Sequence, residues 1–355
     1  MRESPLARFL FVAYVLLVVY ASLYPLSGWT GQGVSAFAYL SAPWPRYVTA
    51  FDLWANVIGY VPCGFLCVLA LYPRQRGGYA VLAAALSGLA LSIAMEAAQS
   101  FLPMRVASNL DVLCNLAGTL AGASLGAPLA GWLLHVGPLR RLRSLAFLPG
   151  AATDAGLVLL GLWLFAQLDP ATLLFGAGDL RDLMQIPAGR GYAPAIFVSV
   201  EALIAAANLT AVCLLASAIA APGTTVRPTL IGLTAAALAV KTLAFAILMR
   251  AEHVLAWLTP GAARGLAAGL AVALAAAGLP RTARLALSAV LTMAATVLVN
   301  LAPENPYSAE TLRLWRQGYF LNFNGLTRLV ASGWPFAALG YLIYLASRRG
   351  RVSLG

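Results

Sequence analysis

Residues 51–72 read FDLWANVIGYVPCGFLCVLALY, residues 73–78 PRQRGG, and residues 79–126 YAVLAAALSGLALSIAMEAAQSFLPMRVASNLDVLCNLAGTLAGASLG. Runs of about 20 apolar residues have the length of a bilayer crossing. The stretch holds three such runs, and Asp52, Asn56, Glu96, Gln99, Arg105, Asp111 and Asn115 lie in or beside them. Hydrocarbon penalises polar and ionisable groups, so each of these seven is a candidate functional residue.

The whole chain has the same character. Of its 355 residues, 61% are hydrophobic and only 10% charged, where a soluble domain carries about 25% charged residues. The expected class is an all-α, polytopic helical membrane protein with about ten transmembrane helices. Cys63, Cys67, Cys114 and Cys213 sit inside apolar runs without CxxC spacing and read as buried packing residues. His135 and His253 have no second ligand at metal spacing. No metal and no cofactor is expected.

The spans follow in order. Phe9–Tyr24 is a retained span, because the loop after it carries no small-residue cleavage site. The next three are Leu53–Tyr72, Tyr79–Phe101 and Leu110–Leu134. Six more are expected at Ala151–Leu168, Ala193–Ala220, Leu230–Met249, Ala262–Leu279, Leu285–Leu301 and Leu329–Ala346. With the N-terminus inside, 13 arginines and only two acids, Glu3 and Asp154, fall on the cytoplasmic side. Those numbers match the formal net charge of +11. The excess is a positive-inside signal that places both termini inside. Nucleic acid is not needed to explain it.

That orientation gathers the polar residues. Asp52 and Asn56 begin the second span, Glu96 and Gln99 end the third, and Asp111 and Asn115 begin the fourth, with Arg105 in the loop between. All seven come to the outer ends of consecutive helices. Glu96 lies seven residues before Pro103, hence about 10 Å below the loop at 1.5 Å per residue. Asp52-x3-Asn56-x2-Gly59 and Asp111-x3-Asn115-x2-Gly118 repeat one pattern, whose spacing keeps acid, amide and glycine on one face. Gly118 and Gly122 form a GxxxG of the kind that lets helices approach closely. Pro62 and Gly64 loosen the middle of the second span.

Structural roles stay open beside these. Asp52 and Asp111 suit helix N-caps. Asn56, Asn115 and Gln99 suit interhelical hydrogen bonds. Glu96 and Arg105 suit an ion pair.

The order Asn56-x5-Pro62-x-Gly64-Phe65, then Glu96-x2-Gln99, then Arg105-x5-Asp111-x3-Asn115-x2-Gly118 resembles the VanZ-like family. The resemblance covers about residues 1–135 and leaves a C-terminal helical bundle at 150–355. It implies an integral protein of the bacterial cytoplasmic membrane, and a link to teicoplanin and glycopeptide resistance. It implies no established molecular activity.

The second half offers fewer signals. Glu201 and Asn208 lie in the sixth span. Lys241 in the seventh reads as a side chain that snorkels to the interface. Residues 303–328, with Trp315, Arg316, Tyr319 and Arg328, read as an aromatic and basic surface segment.

Three function classes follow. The first is a non-enzymatic envelope protein that binds an anionic, lipid-linked component at the outer leaflet, with membrane lipids as its partners. The second is a membrane enzyme with Glu96 and Asp111 as acid and base, although no HExxH or phosphate-binding glycine loop accompanies them. The third is a proton-coupled transporter titrating Glu96.

Overall fold

The computed structural model describes residues 4–31, 33, 35–181, 184, 194–221, 226–248, 253–303, 305 and 321–350. The expected surface segment around Trp315 and Arg316 lies outside them. Among the described residues the regular secondary structure is all helical, apart from an isolated bridge between Phe147 and Ala220. In chain order the helices are α1 (Pro5–Leu23), α2 (Ala50–Leu71), α3 (Gly77–Gln99), α4 (Asn109–Gly131) and α5 (Pro138–Ala146). Then come α6 (Ala151–Ala166), α7 (Pro194–Ala218), α8 (Val226–Leu248), α9 (Pro260–Ala276), α10 (Arg281–Leu301) and α11 (Leu321–Gly350). A π-helical turn, Trp132–Val136, carries α4 toward α5.

Among the described residues, eight helical stretches are long and apolar enough to cross a membrane. The expected fifth and eighth spans, α6 and α9, have 16 and 17 residues. At 1.5 Å per residue they reach about 25 Å, short of a hydrocarbon core of about 30 Å.

The chain divides into two compact units, Met1–Ser144 and Leu145–Gly355. In the first, α2 and α4 pack backbone against backbone. A methyl group added at Gly118 would land on the carbonyl oxygen of Val57, and one at Gly122 on that of Val61. Gly64 returns the contact, meeting the carbonyl of Thr119. Small residues give membrane helices this approach, and dispersion between the two backbones holds them. Pro62 sits inside α2 without ending it. The core around this seam holds Cys67, Val68, Leu69, Ala80, Ala84, Ala123 and Ala130.

In the second unit α7 is the central helix. Residues Leu209, Val212, Cys213, Leu214 and Leu215 on it are at most 1% exposed. Helix α9 lies against it with Gly265, whose added methyl would sit 2.6 Å from the Ala202 carbonyl. Arg281 and Arg284 at the start of α10 donate to the carbonyls of Ala218 and Ser217, both at 2.8 Å. Those carbonyls end α7 and have no partner within the helix.

The segment after α6 departs from expectation. The sequence reads as a polar connecting loop, yet Gln167, Asp169, Leu174, Phe175 and Ala177 are at most 2% exposed. Irregular backbone at membrane depth is tolerated only where protein surrounds it and satisfies its polar groups. Gln167 accepts the Phe175 N–H at 3.1 Å. Asn300 of α10 donates to the Gly178 carbonyl at 2.7 Å and accepts the Leu180 N–H at 2.9 Å. Ser332 of α11 donates to the Asp179 carbonyl at 2.6 Å. Lys241 completes the set and does not snorkel. Its Nζ donates to the carbonyls of Asp169 (2.7 Å) and Thr172 (2.8 Å) and to Thr172 Oγ1 (3.1 Å), at 1% exposure.

Candidate functional site

Helices α2 and α4 begin alike. Thr49 caps α2 and Ser108 caps α4, and the acids Asp52 and Asp111 stand at the third position of each helix. The expected N-cap role of the two aspartates therefore belongs to the hydroxyl residues three places earlier. In α2 the capping box closes on itself: Asp52 N donates to Thr49 Oγ1 at 3.1 Å, and Thr49 N donates to Asp52 Oδ2 at 3.2 Å. In α4 the Ser108 hydroxyl accepts from the Leu110 and Asp111 N–H groups at 3.2 and 3.4 Å. The Ser108 N–H goes elsewhere. It donates at 2.8 Å to Oε2 of Glu96, which reaches over from α3 and is 4% exposed. Asp111 is thereby left to take the side-chain amide of Asn56 on α2, with Asp52 close enough to repel it.

Arg105 and Gln99 turn toward α1. Arg105 Nη2 donates to the carbonyls of Ala21 and Tyr24 at 3.2 and 3.1 Å, and Gln99 Nε2 to that of Ser22 at 2.8 Å. These carbonyls end α1, so both side chains cap it. Glu96 and Arg105 attract each other across the loop. Burial pushes the Arg105 guanidinium below its ordinary value, and Glu96 pulls the other way.

Asn115 lies deeper, at 4% exposure, donating to Ser92 Oγ at 2.9 Å. Its Oδ1 has no hydrogen-bond partner among the described residues, a state native interiors seldom tolerate, and the Tyr60 hydroxyl lies beside the same Ser92. Ser92 is fully buried on the same face of α3 as Glu96, four residues before it. That spacing is the signal by which the sequence alone could have found it. Tyr60, four residues after Asn56 on α2, carries the same signal, whereas the partners of Arg105 carry none.

The loop between α1 and α2 lies over this end of the unit. The Thr30 N–H donates to the Phe101 carbonyl at 2.9 Å, Tyr39 hydroxyl to that of Ile93 at 3.1 Å, and Asn109 Nδ2 to that of Ala42 at 2.7 Å. Burial, with Glu96 nearby, raises the Tyr39 hydroxyl above its usual value. Trp29, Trp44 and Tyr47 of the loop are exposed, as befits a membrane–water interface.

Three groups thus emerge among the seven residues. Asp52, Asn56, Asp111 and Glu96 meet at the first turns of α2 and α4, Gln99 and Arg105 close α1, and Asn115 lies in the interior with Ser92. Among the described residues no cluster of three or more His, Cys, Asp or Glu could hold a metal ion.

Fold and composition define a multi-pass helical membrane protein. Residues 11–130, which run from α1 to α4 and contain all seven polar residues, match the model of the VanZ/LLP1 family. Neither the curated proteins nor the solved structures contain a match to this chain.

Proposed function

We propose that the polar end of the first unit receives the headgroup of an anionic, lipid-linked envelope component at the outer leaflet of a bacterial cytoplasmic membrane. The observation that carries this reading is the use of Glu96 on the Ser108 N–H at 2.8 Å. Because that bond closes the cap of α4, Asp111 and Asn56 stand as a paired acid and amide at the helix ends. Acids and amides in such a position suit the hydroxyls of a lipid-linked sugar. Arg105 suits a phosphate, since its guanidinium is a planar fork of donors standing in the loop between α3 and α4. Asp52, Asp111 and Glu96 would repel a phosphate placed among them, so the phosphate is assigned to Arg105 and the hydroxyls to the acids. Outer placement follows from the arginine asymmetry. Binding such a carrier would alter what a glycopeptide antibiotic meets at the membrane surface, which accords with the resistance link of the VanZ-like resemblance.

A second reading rests on one observation. Glu96 and Asp111 meet at Ser108, whose N–H donates to Glu96 and whose hydroxyl accepts the Asp111 N–H, so two carboxyl-bearing residues share one helix end, the arrangement from which acid and base pairs are made. In that case the protein is an enzyme on the same class of lipid.

The test uses the full chain in detergent, with undecaprenyl phosphate and neutral undecaprenol as probes. Wild type should prefer the phosphate, and Arg105→Ala, checked for folding, should lose that preference. Equal binding of both lipids by wild type would sink the proposal. Chemical conversion of the bound lipid, lost in Glu96→Gln, would favour the enzyme.

A further inference from the structure

The other end of the first unit carries a basic surface. Against the turn that leads into α3 and the first half of that helix, an open cavity of about 640 Å³ is lined by Arg74, Gln75 and Arg76 of the turn and by Tyr79, Leu82 and Leu86 of the helix. The helix residues face outward: Tyr79 is 83% exposed, Leu82 57% and Leu86 58%. At spacings of three and four these residues form one stripe down α3, about 10 Å long. Cationic turn and apolar stripe are continuous.

Nearby side chains extend and order the basic turn. Arg76 Nε donates to the Pro73 carbonyl at 3.2 Å, and its guanidinium lies over the Tyr72 ring at 5.0 Å. The Tyr72 ring meets that of His135 at 5.5 Å, where the turn leading to α5 begins. Arg140 of α5 donates to the His135 carbonyl. Helix α5 itself, PLRRLRSLA, exposes Leu139 and Leu142 beside Arg140 and Arg141. A short helix with basic and apolar faces directly after a span lies in the headgroup layer. Residues 71–86 and 131–146 contain five arginines and no acid.

We infer that this surface is a site for a phospholipid with a net negative headgroup, held by Arg74 and Arg76 with one acyl chain along Tyr79, Leu82 and Leu86. The headgroup phosphate receives charge-assisted hydrogen bonds from planar donors. A soluble phosphate would satisfy the arginines and leave the apolar stripe uncovered, so the occupant is a lipid of the surrounding leaflet. The site lies at the opposite end of the unit from Arg105 and does not depend on the function proposed above.

The experiment reconstitutes the full chain in nanodiscs holding a trace of lipid with a photoactivatable acyl chain, as phosphatidylglycerol or as phosphatidylcholine. Cross-links are mapped by mass spectrometry. Phosphatidylglycerol should label residues 77–90 at least fivefold more than phosphatidylcholine. Arg74→Gln/Arg76→Gln should reduce its labelling to the phosphatidylcholine level, with Arg74→Gln alone as the substitute should the double variant fail to accumulate. Arg105→Ala should leave labelling unchanged, which separates this site from the one at the other end. Equal labelling by the two lipids, or full labelling of the arginine variant, would overturn the assignment. Loss of labelling in the presence of millimolar inorganic phosphate would also overturn it, in favour of a soluble anion.

Discussion

Oε2 of Glu96 takes the backbone N–H of Ser108 at 2.8 Å, the bond that Asp52 supplies for Thr49 at the start of α2. Removing that acceptor leaves a half-buried donor without its partner, a loss of about 1 kcal/mol. Asp111 stands where it can close the box in Glu96's place. Glu96→Ala should therefore destabilise mildly, Asp111→Ala mildly, and the double variant by clearly more than the two together. Thermal unfolding in detergent reads this, and strict additivity would show that the two acids do not share the cap. Glu96→Gln keeps an acceptor oxygen and should fold like wild type.

Gly122 should tolerate nothing larger. Its methyl would meet the Val61 carbonyl, and overpacking of this kind costs about 1–3 kcal/mol. Gly122→Leu should abolish folded yield in the membrane, while Gly59→Leu, where an added Cβ meets nothing within 4 Å, should accumulate normally. Similar yields of the two would mean that the seam is looser than described.

Lys241→Met keeps the length of the side chain and removes the three bonds to Asp169 and Thr172. Hydrogen bonds from charged groups contribute about 1.5–3 kcal/mol each. The variant should melt several degrees below wild type and expose the segment around Thr172 to protease. An unchanged melting point would contradict the role assigned to the ammonium.

Asp179 and Arg181 form a bidentate pair, Oδ1 to Nε at 3.0 Å and Oδ2 to Nη2 at 2.6 Å. Burial works against the carboxylate's charge, but Arg181 outweighs it and holds the group below the usual range. A depressed folded value gives stability that is present above the unfolded value of about 4 and lost as pH falls through the folded one. Wild type should thus lose more stability between pH 6 and pH 3 than Asp179→Asn does. The pair is partly exposed, so the difference should be small. A steeper acid loss in the variant would reverse the sign.

Topology has a direct check. A reporter active only outside the membrane should be active when fused after Ser108 and silent after Gly77. Activity at Gly77 would place Glu96 and Asp111 at the cytoplasmic face and remove the basis for an outer-leaflet ligand.

The apolar runs made the helices legible, and the alternation of span direction put Asp52, Glu96 and Asp111 at one end. The GxxxG of Gly118 and Gly122 announced a close contact, which the structure assigns to α2. What escaped was long-range or small. Gln99 and Arg105 close α1 across 77 and 84 residues, and nothing local in sequence links a side chain to a distant carbonyl. Thr49 and Ser108 were passed over because the acids three residues later drew the capping role. Lys241 escapes for a related reason: a lysine in a span snorkels unless a buried loop offers acceptors, and a loop rich in Asp, Pro and Gly looks solvent-exposed when read alone.

The buried segment from Gln167 onward constrains how the protein can be synthesised. Its acceptors and donors are met by Lys241, Asn300 and Ser332, which emerge from the ribosome 72, 122 and 153 residues later. Until the last helix has entered the bilayer, those backbone groups have no native partners, and lipid offers none. The second unit therefore matures only when translation is nearly complete. A chain that stops before α11 inserts its earlier spans but leaves an unfinished interior for quality-control proteases to find.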